Sequence, residues 1–136
     1  MRLKKVFVRV AALGVMLAVA TAMALAQAET ATDFYVKYRA AFAKAKAIED
    51  LFPLMSKETK AEVESTPKGE RPKMFEFVQE MSKGMTGVKV VKETKTAEGA
   101  VLTVEAMDGK DKMTGQIAIV KEGGAWKMGK ESWSNK

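Results

Sequence analysis

The sequence predicts an α+β fold, with N-terminal helices packed on one face of a curved four-stranded antiparallel meander. Apolar residues recur at helical spacing up to about residue 85, and from Thr86 onward they alternate with a spacing of two. Three short turn signals divide the second half into four segments, and short turns join antiparallel neighbours. The 136 residues suffice for one domain. We therefore expect a signal segment over residues 1–28 and a single domain over residues 29–136.

The first 28 residues have the pattern of a secretory signal peptide. Basic residues near the start precede an uncharged, apolar run, and small residues at Ala26 and Ala28 suit a signal peptidase pocket. We expect cleavage between Ala28 and Glu29 and a periplasmic or secreted domain, whose membrane contact is through the signal segment only. An uncleaved N-terminal anchor is the alternative, because residues 10–28 are just long enough to cross a bilayer.

The composition removes several classes of chemistry. The chain has no cysteine and no histidine, so disulfides, thiolate nucleophiles, Cys/His zinc sites and imidazole bases are excluded. Four of its 23 basic residues lie in the leader, which leaves 19 basic and 17 acidic residues, a net charge of +2, in the rest of the chain. This balance gives no electrostatic case for a nucleic-acid partner. We expect no cofactor and no metal site.

Three helical segments are predicted before the strands. The first begins at Thr30, where Asp33 follows at the capping-box position, and its apolar stripe is Phe34, Tyr38, Ala41, Phe42, Ala45 and Ile48. Ser56 caps the short helix "KETKAEVE", after an irregular turn around Pro53. Pro72 suits the first turn of the last helix, whose stripe is Met74, Phe77, Val78 and Met81.

Four strands are predicted, separated by the turn signals Glu98-Gly99, Asp108-Gly109 and Gly123-Gly124. They are placed near Val88–Thr94, Ala100–Met107, Lys112–Lys121 and Ala125–Trp133. Folding about the last two turns places Val104 opposite Met113 and Ile119 opposite Met128. Both turns then collect apolar residues on one face, an agreement that a one-residue slip would destroy. That face comprises Leu102, Val104, Ala106, Met113, Ile117, Ile119, Trp126 and Met128.

The order of the segments is familiar. A long first helix, "DFYVKYRAAFAKAKAIEDL", is followed by "LMSKETKAEV" and by a meander that ends with "VKEGGAWKMGKESW". This arrangement resembles the nuclear transport factor 2-like superfamily (cystatin-like, cone-shaped α+β), in its small secreted bacterial branch. The resemblance implies a pocket between sheet and helices, which different members use for steroids, polyketides or peptides. Enzymatic members place Asp, Tyr, His or Arg in this pocket, but no catalytic residue of the family matches a position in this chain.

We expect a small apolar ligand to be held between the sheet and the first helix. The predicted lining of this site is Tyr38, Phe42, Phe77, Trp126 and Met128. Tyr38 adds one hydroxyl that would orient a guest, and the five residues supply no acid or base, so we expect binding and no catalytic residue. Trp126, which follows the Gly123-Gly124 turn, is predicted to be a core aromatic between the sheet and the first helix.

Two other functions remain open. One is an isomerase or dehydratase of a small apolar substrate, in which Asp33 or Asp50 works with Tyr35 or Tyr38. Helix capping by Asp33 and a solvated helix end at Asp50 are the simpler interpretations of these carboxylates. The other function is that of a structural, self-associating envelope protein, which forms a homodimer through its outer sheet face. That face would present Val101, Val120 and, if no bulge intervenes, Trp133.

Overall fold

The computed structural model describes residues 28–135, so the predicted signal segment lies almost entirely outside the described residues. Within that range, no helix is long and apolar enough to cross a membrane. The helical part consists of α1 (Ala31–Lys44), a 3-10 helix (Ile48–Leu54), α2 (Lys57–Glu64) and α3 (Arg71–Gly84). The strands are β1 (Met85–Lys95), β2 (Gly99–Asp108), β3 (Asp111–Glu122) and β4 (Ala125–Asn135).

The start of α1 is fixed by the predicted capping box. The Thr30 hydroxyl accepts the Asp33 backbone N–H at 3.0 Å, and the Asp33 carboxylate accepts the Thr30 N–H at 3.2 Å. A second carboxylate, that of Glu93 in β1, accepts both the N–H (2.9 Å) and the hydroxyl (2.7 Å) of Thr32. The N-terminus of α1 is therefore tied to the edge of the sheet as well as capped locally.

The first helix is shorter than its apolar stripe predicted, because it ends at Lys44. The Asp50 carboxylate accepts the N–H groups of Lys46 and Ala47 at 3.1 Å each, and so caps a new 3-10 helix. Ile48, the last residue of the predicted stripe, is buried in that second element. The stripe is therefore continued by a separate helix rather than by α1.

The two later helices begin as predicted. The Ser56 hydroxyl accepts the Thr59 N–H at 3.2 Å at the start of α2, and Pro72 lies in the first turn of α3. Three residues of the predicted apolar stripe of α3 are exposed rather than buried: Phe77 (66%), Val78 (39%) and Met81 (60%). Phe75 is buried instead, because α3 turns that ring against Phe42 in an edge-to-face contact with centroids 5.3 Å apart.

The four strands form a curved, unclosed antiparallel sheet in the order β1-β2-β3-β4, with the helices before the strands in the chain. This arrangement confirms the predicted α+β fold class. The β3–β4 register is the predicted one, with Ile119 opposite Met128. In the β2–β3 hairpin, Val104 lies opposite Gly115 instead of Met113.

The predicted β2–β3 register is wrong because the turn lies one residue later in the chain than predicted. Gly109, at φ 63°, is the first of the two central turn residues rather than the second. Every pair is therefore displaced by two residues. Because side chains alternate with a period of two, the same residues still face the core. Leu102, Val104, Ala106, Ile117 and Ile119 are all buried.

A β-bulge reverses the outer part of β4. Between the pairs that contain Ile117 and Ile119, β4 has one more residue than β3. Beyond this bulge, Trp133 lies opposite Gly115, on the face that the helices cover. Trp133 is expected on the outer face only if β4 has no bulge. Because the bulge is present, Trp133 lies on the inner face.

Two clusters of buried residues hold the helices on the sheet. The first joins α1 to the sheet and contains Ala31, Phe34, Tyr35, Ala100, Leu102, Val104, Ile117, Ile119 and Met128. The second joins the 3-10 helix to α3 and contains Ile48, Leu51, Met55 and Phe75. All buried residues of both clusters lie between Ala31 and Met128, so residues 28–136 contain every member of the two clusters that the structure describes.

Candidate functional site

A cavity of about 560 Å³ lies between α1, α3 and the sheet; we call it the helix cavity. Its main apolar walls are formed by Tyr38, Phe42, Val78, Met81, Met113 and Trp133. Two α3 residues at this lining are left open to solvent, since Met81 is 60% and Val78 is 39% exposed. Apolar groups of this kind around a concavity are typical of a ligand site.

Tyr38 is the central side chain of the site. Its ring lies between those of Phe34 and Phe42, with centroid distances of 6.4 and 6.2 Å. Burial, with a smaller contribution from the Glu131 charge, holds the pKa of the Tyr38 phenol well above its ordinary value. The hydroxyl is therefore protonated at neutral pH. Among the described residues it has no hydrogen-bond partner, so it is free to serve a guest.

The side chain of Arg39 contributes a positive charge to the lining of the helix cavity. Arg39 donates a long hydrogen bond of 3.5 Å to the Tyr35 hydroxyl and lies over that ring, 5.9 Å from its centroid. Burial raises the pKa of Tyr35, and the hydrogen bond from Arg39 partly opposes that rise. The nearby Glu131 carboxylate accepts the indole N–H of Trp133 at 2.6 Å. Within residues 28–135, Arg39 takes part in no salt bridge.

A second cavity of about 530 Å³, the hairpin cavity, lies beside the β3–β4 turn. Its aromatic and aliphatic lining is Phe34, Tyr38, Leu54 and Trp126, and its cations are Lys37, Lys121 and Lys127. The Trp126 indole N–H donates to the backbone oxygen of Glu29 at 2.9 Å. Trp126 is thus on the core face, as predicted, but it is half-buried at the edge of the core and lines a cavity.

The five residues predicted to line one site are divided by the structure. Tyr38 and Phe42 line the helix cavity. Tyr38 also lines the hairpin cavity, and of the two cavities Trp126 lines only the hairpin cavity. Met128 is 2% exposed and lines neither cavity, because it is enclosed in the core and bridges to Met55. Phe77 also lines neither cavity, since it points away from the face on which α3 packs.

Sequence reasoning missed the contributions of Arg39, Glu131 and Trp133. Arg39 and Glu131 are charged and have polar neighbours in the sequence, and such residues are ordinarily expected to be exposed to solvent. Trp133 is an outer-face residue only if no bulge intervenes, and the alternation of residues alone does not locate the bulge. A glycine inside a strand pattern is a signal for a bulge, and Gly129 stands at this position.

The carboxylates considered for catalysis are both engaged elsewhere. Asp33 and Asp50 accept backbone N–H groups at helix starts, and neither lines the helix cavity or the hairpin cavity. The carboxylates at the helix cavity are Glu80, Asp108 and Glu131. In the described part of the chain, no three His, Cys, Asp or Glu residues are grouped so that they could hold a metal ion.

The proposed outer face is the one that the helices leave uncovered. Val101 and Val120 lie on it, each half-buried by neighbouring strands. Their role in a homodimer stays a prediction.

Comparisons of the chain with protein-family models, with curated proteins and with solved structures find no significant match. The class is therefore defined by the fold and the site: an α+β domain whose helix-covered sheet face carries two aromatic cavities.

Proposed function

We propose that this domain binds a small, mostly apolar molecule in the helix cavity and does not convert it chemically. The observation that carries the proposal is an aromatic cavity of about 560 Å³ with solvent-exposed apolar side chains on α3 at its lining. Its volume falls within the range of about 300–1,000 Å³ that small-molecule sites occupy. A guest would cover Met81 and Val78, which the fold itself leaves open.

The apolar walls set the class of the guest. Burial of apolar area contributes about 25 cal/mol per Å², and part of this is offset by ordering of the guest and of the side chains. We therefore expect micromolar-class affinity for lipid-like or aromatic compounds. The Tyr38 hydroxyl and the Arg39 guanidinium are donors that would orient one polar group of such a guest.

If the domain is instead an enzyme, its candidate general base is a carboxylate other than Asp33 and Asp50. An isomerase or dehydratase that works in this cavity would need Glu131 or Asp108, since Asp33 and Asp50 are helix caps and Glu80 is paired with Lys83. Glu131 is the better placed of the two, because its charge acts on both Tyr35 and Tyr38. Turnover of a bound guest that is lost in Glu131→Gln would favour this alternative over simple binding.

The proposal also covers the compartment in which the domain is located and the superfamily to which it belongs. We propose that it is a periplasmic or secreted member of the nuclear transport factor 2-like superfamily, released from its signal segment by cleavage after Ala28. The leader pattern and the order of the helical and strand segments support this view.

The two tryptophans allow each cavity to be observed separately. Trp133 lines the helix cavity and Trp126 lines the hairpin cavity, so the two indole N–H signals in a ¹⁵N correlation spectrum report on different sites. Residues 28–136 would be unfolded and refolded to remove any co-purified molecule. They would then be titrated with fatty acids, isoprenoids and aromatic compounds, and Trp126→Phe would assign the signals.

Two substitutions on α3 make a matched pair for this titration. Met81→Glu places a charge at the cavity lining, whereas Phe77→Glu places the same charge at an equally exposed position outside it. We expect a guest that shifts the Trp133 signal, loses its effect in Met81→Glu and keeps it in Phe77→Glu. If no compound shifts the Trp133 signal, or if both variants bind as the wild type does, the proposal fails.

A further inference from the structure

We infer that the hairpin cavity is a second binding site, and that it takes an amphiphilic anion. The anionic head would bind Lys121 and Lys127, and the apolar tail would lie on Phe34, Leu54 and Trp126. This site goes beyond the proposed function, because its position and its charge differ from those of the helix cavity.

The charges at the hairpin cavity are not balanced. Glu29, its one acidic residue, is already paired with Lys37, whose Nζ lies 2.7 Å from Glu29 Oε1. Among the described residues, Lys121 and Lys127 take part in no salt bridge. Within residues 28–135, the one hydrogen-bond acceptor of the Lys127 ammonium is a neutral backbone oxygen, that of Pro53. Two lysines without a carboxylate partner among the described residues therefore line the same cavity.

The cations lie directly beside apolar surface. Lys121 Nζ lies 4.6 Å from the centroid of the Trp126 ring, so an anion that reaches this ammonium also reaches the indole. The indole is held in place by its hydrogen bond to the Glu29 backbone oxygen. Gly124, at φ 79°, brings backbone without a side chain to this lining. A charged head and an apolar tail can thus be accommodated together.

The predicted cleavage would strengthen the site. Ala28 and Glu29 both line the hairpin cavity, so cleavage between them would free an α-amino group at this lining. That group would add a positive charge at the cavity lining.

The helix cavity has the opposite balance. One guanidinium, that of Arg39, is set there against the carboxylates of Asp108 and Glu131, while a third carboxylate, that of Glu80, is paired with Lys83. An anionic guest is therefore expected to prefer the hairpin cavity, and a neutral apolar guest the helix cavity. The two proposals can fail independently, because each is followed through its own tryptophan.

The test compares four probes that share one alkyl chain. Decanoate, decyl phosphate, decanol and decylammonium, all below their critical micelle concentrations, would be titrated into residues 28–136 while the Trp126 indole signal is followed. Lys121→Met and Lys127→Met remove the proposed partners. Lys110→Met is the matched control, because it removes the same charge at the opposite end of β3.

We expect the anions to shift the Trp126 signal at lower concentration than the alcohol or the ammonium does. Each of the two lysine variants should weaken anion binding about twofold to fivefold, within the range for a solvent-accessible charge pair, and added salt should weaken it further. Lys110→Met should bind as the wild type does. A stronger response to decanoate or to decyl phosphate would identify the preferred head group. Equal binding of decanol and decanoate, no response of Trp126, or unchanged affinity in Lys121→Met and Lys127→Met would overturn the inference.

Discussion

Trp133 lies directly over Gly115 of the neighbouring strand, with its indole where the β-carbon of any other residue would be. A β-carbon built on Gly115 would come within 2.9 Å of three indole ring carbons. The two residues are opposite one another in the β3–β4 register, beyond the bulge. The absence of a side chain at Gly115 therefore sets the position of the aromatic wall of the helix cavity.

Gly115→Ala is expected to destabilise the fold by about 1–2 kcal/mol, because the rigid indole must move to admit a methyl group. The Trp133 indole signal should shift as the ring is displaced from the cavity. Gly69→Ala is the control, since a β-carbon there has no atom within 4 Å and should leave stability unchanged or slightly raised. Urea unfolding of both variants tests this relationship, and equal stabilities would contradict it.

Trp126→Ala is expected to lower the free energy of unfolding by about 2 kcal/mol. A fully buried tryptophan would cost more, but Trp126 is half-buried at the edge of the first cluster. Trp126→Phe should recover much of the loss, because the ring still packs although the hydrogen bond to Glu29 is absent. A loss greater than about 4 kcal/mol in the alanine variant would show that Trp126 is a full core residue.

Glu93→Ala is expected to destabilise the domain by about 1–2 kcal/mol, since the backbone N–H and the hydroxyl of Thr32 lose a charged acceptor. Glu98→Ala, in the neighbouring β1–β2 turn, is the matched control because its side chain makes no hydrogen bond among the described residues. Thermal unfolding of the two variants provides the measurement. Equal stability of Glu93→Ala and Glu98→Ala would contradict the proposed stabilising role of the Glu93 carboxylate.

Alkaline pH is expected to weaken the fold through Tyr35 and Tyr38, the two tyrosines of the sequence. Burial raises the pKa of both above the ordinary value of 10.0. The folded state therefore keeps protons that the unfolded state releases. This contribution to stability is complete below pH ~10 and is lost as pH rises through the folded pKa values.

Two measurements test the alkaline effect. Tyrosinate absorbance should appear at higher pH in the folded protein than in the urea-unfolded protein. The free energy of unfolding should fall with pH above ~10, and Tyr38→Phe should make that fall shallower. Coincident tyrosine titrations in the folded and unfolded protein would contradict the expectation.

Intact-mass measurement of protein taken from the cell envelope tests the predicted processing. We expect a mass that corresponds to a chain beginning at Glu29. A mass that includes residues 1–28 would show that the leader is retained, and would leave the hairpin cavity without the extra α-amino group.

The helix starts and the inner face of the sheet could be predicted because each depends on local chemistry. The Thr30 and Ser56 caps, the Pro72 position and the alternation in β2 and β3 are all carried by short stretches of sequence. The period-two rule even preserved the inner face when the β2–β3 register was displaced by two residues.

The site was harder to predict, because it depends on how elements rotate against one another. Phe75 and Phe77 both fit an apolar stripe, and only the docking of α3 on Phe42 decides which of them is buried. Trp133 changes face because of one extra residue in β4. The first choice is made by tertiary packing, and for the second the sequence offers only the weak signal of a glycine, Gly129, inside a strand pattern.

Intermolecular nuclear Overhauser effects test the central claim most directly, because they locate a guest. The compound that binds most tightly in the titration would be added, unlabelled, to uniformly ¹³C- and ¹⁵N-labelled residues 28–136. We predict contacts from the guest to the Met81 and Met113 methyl groups and to the Trp133 indole, the walls of the helix cavity. Contacts confined to Val101 and Val120 on the outer sheet face, or no contacts from a bound guest to these walls, would contradict the account.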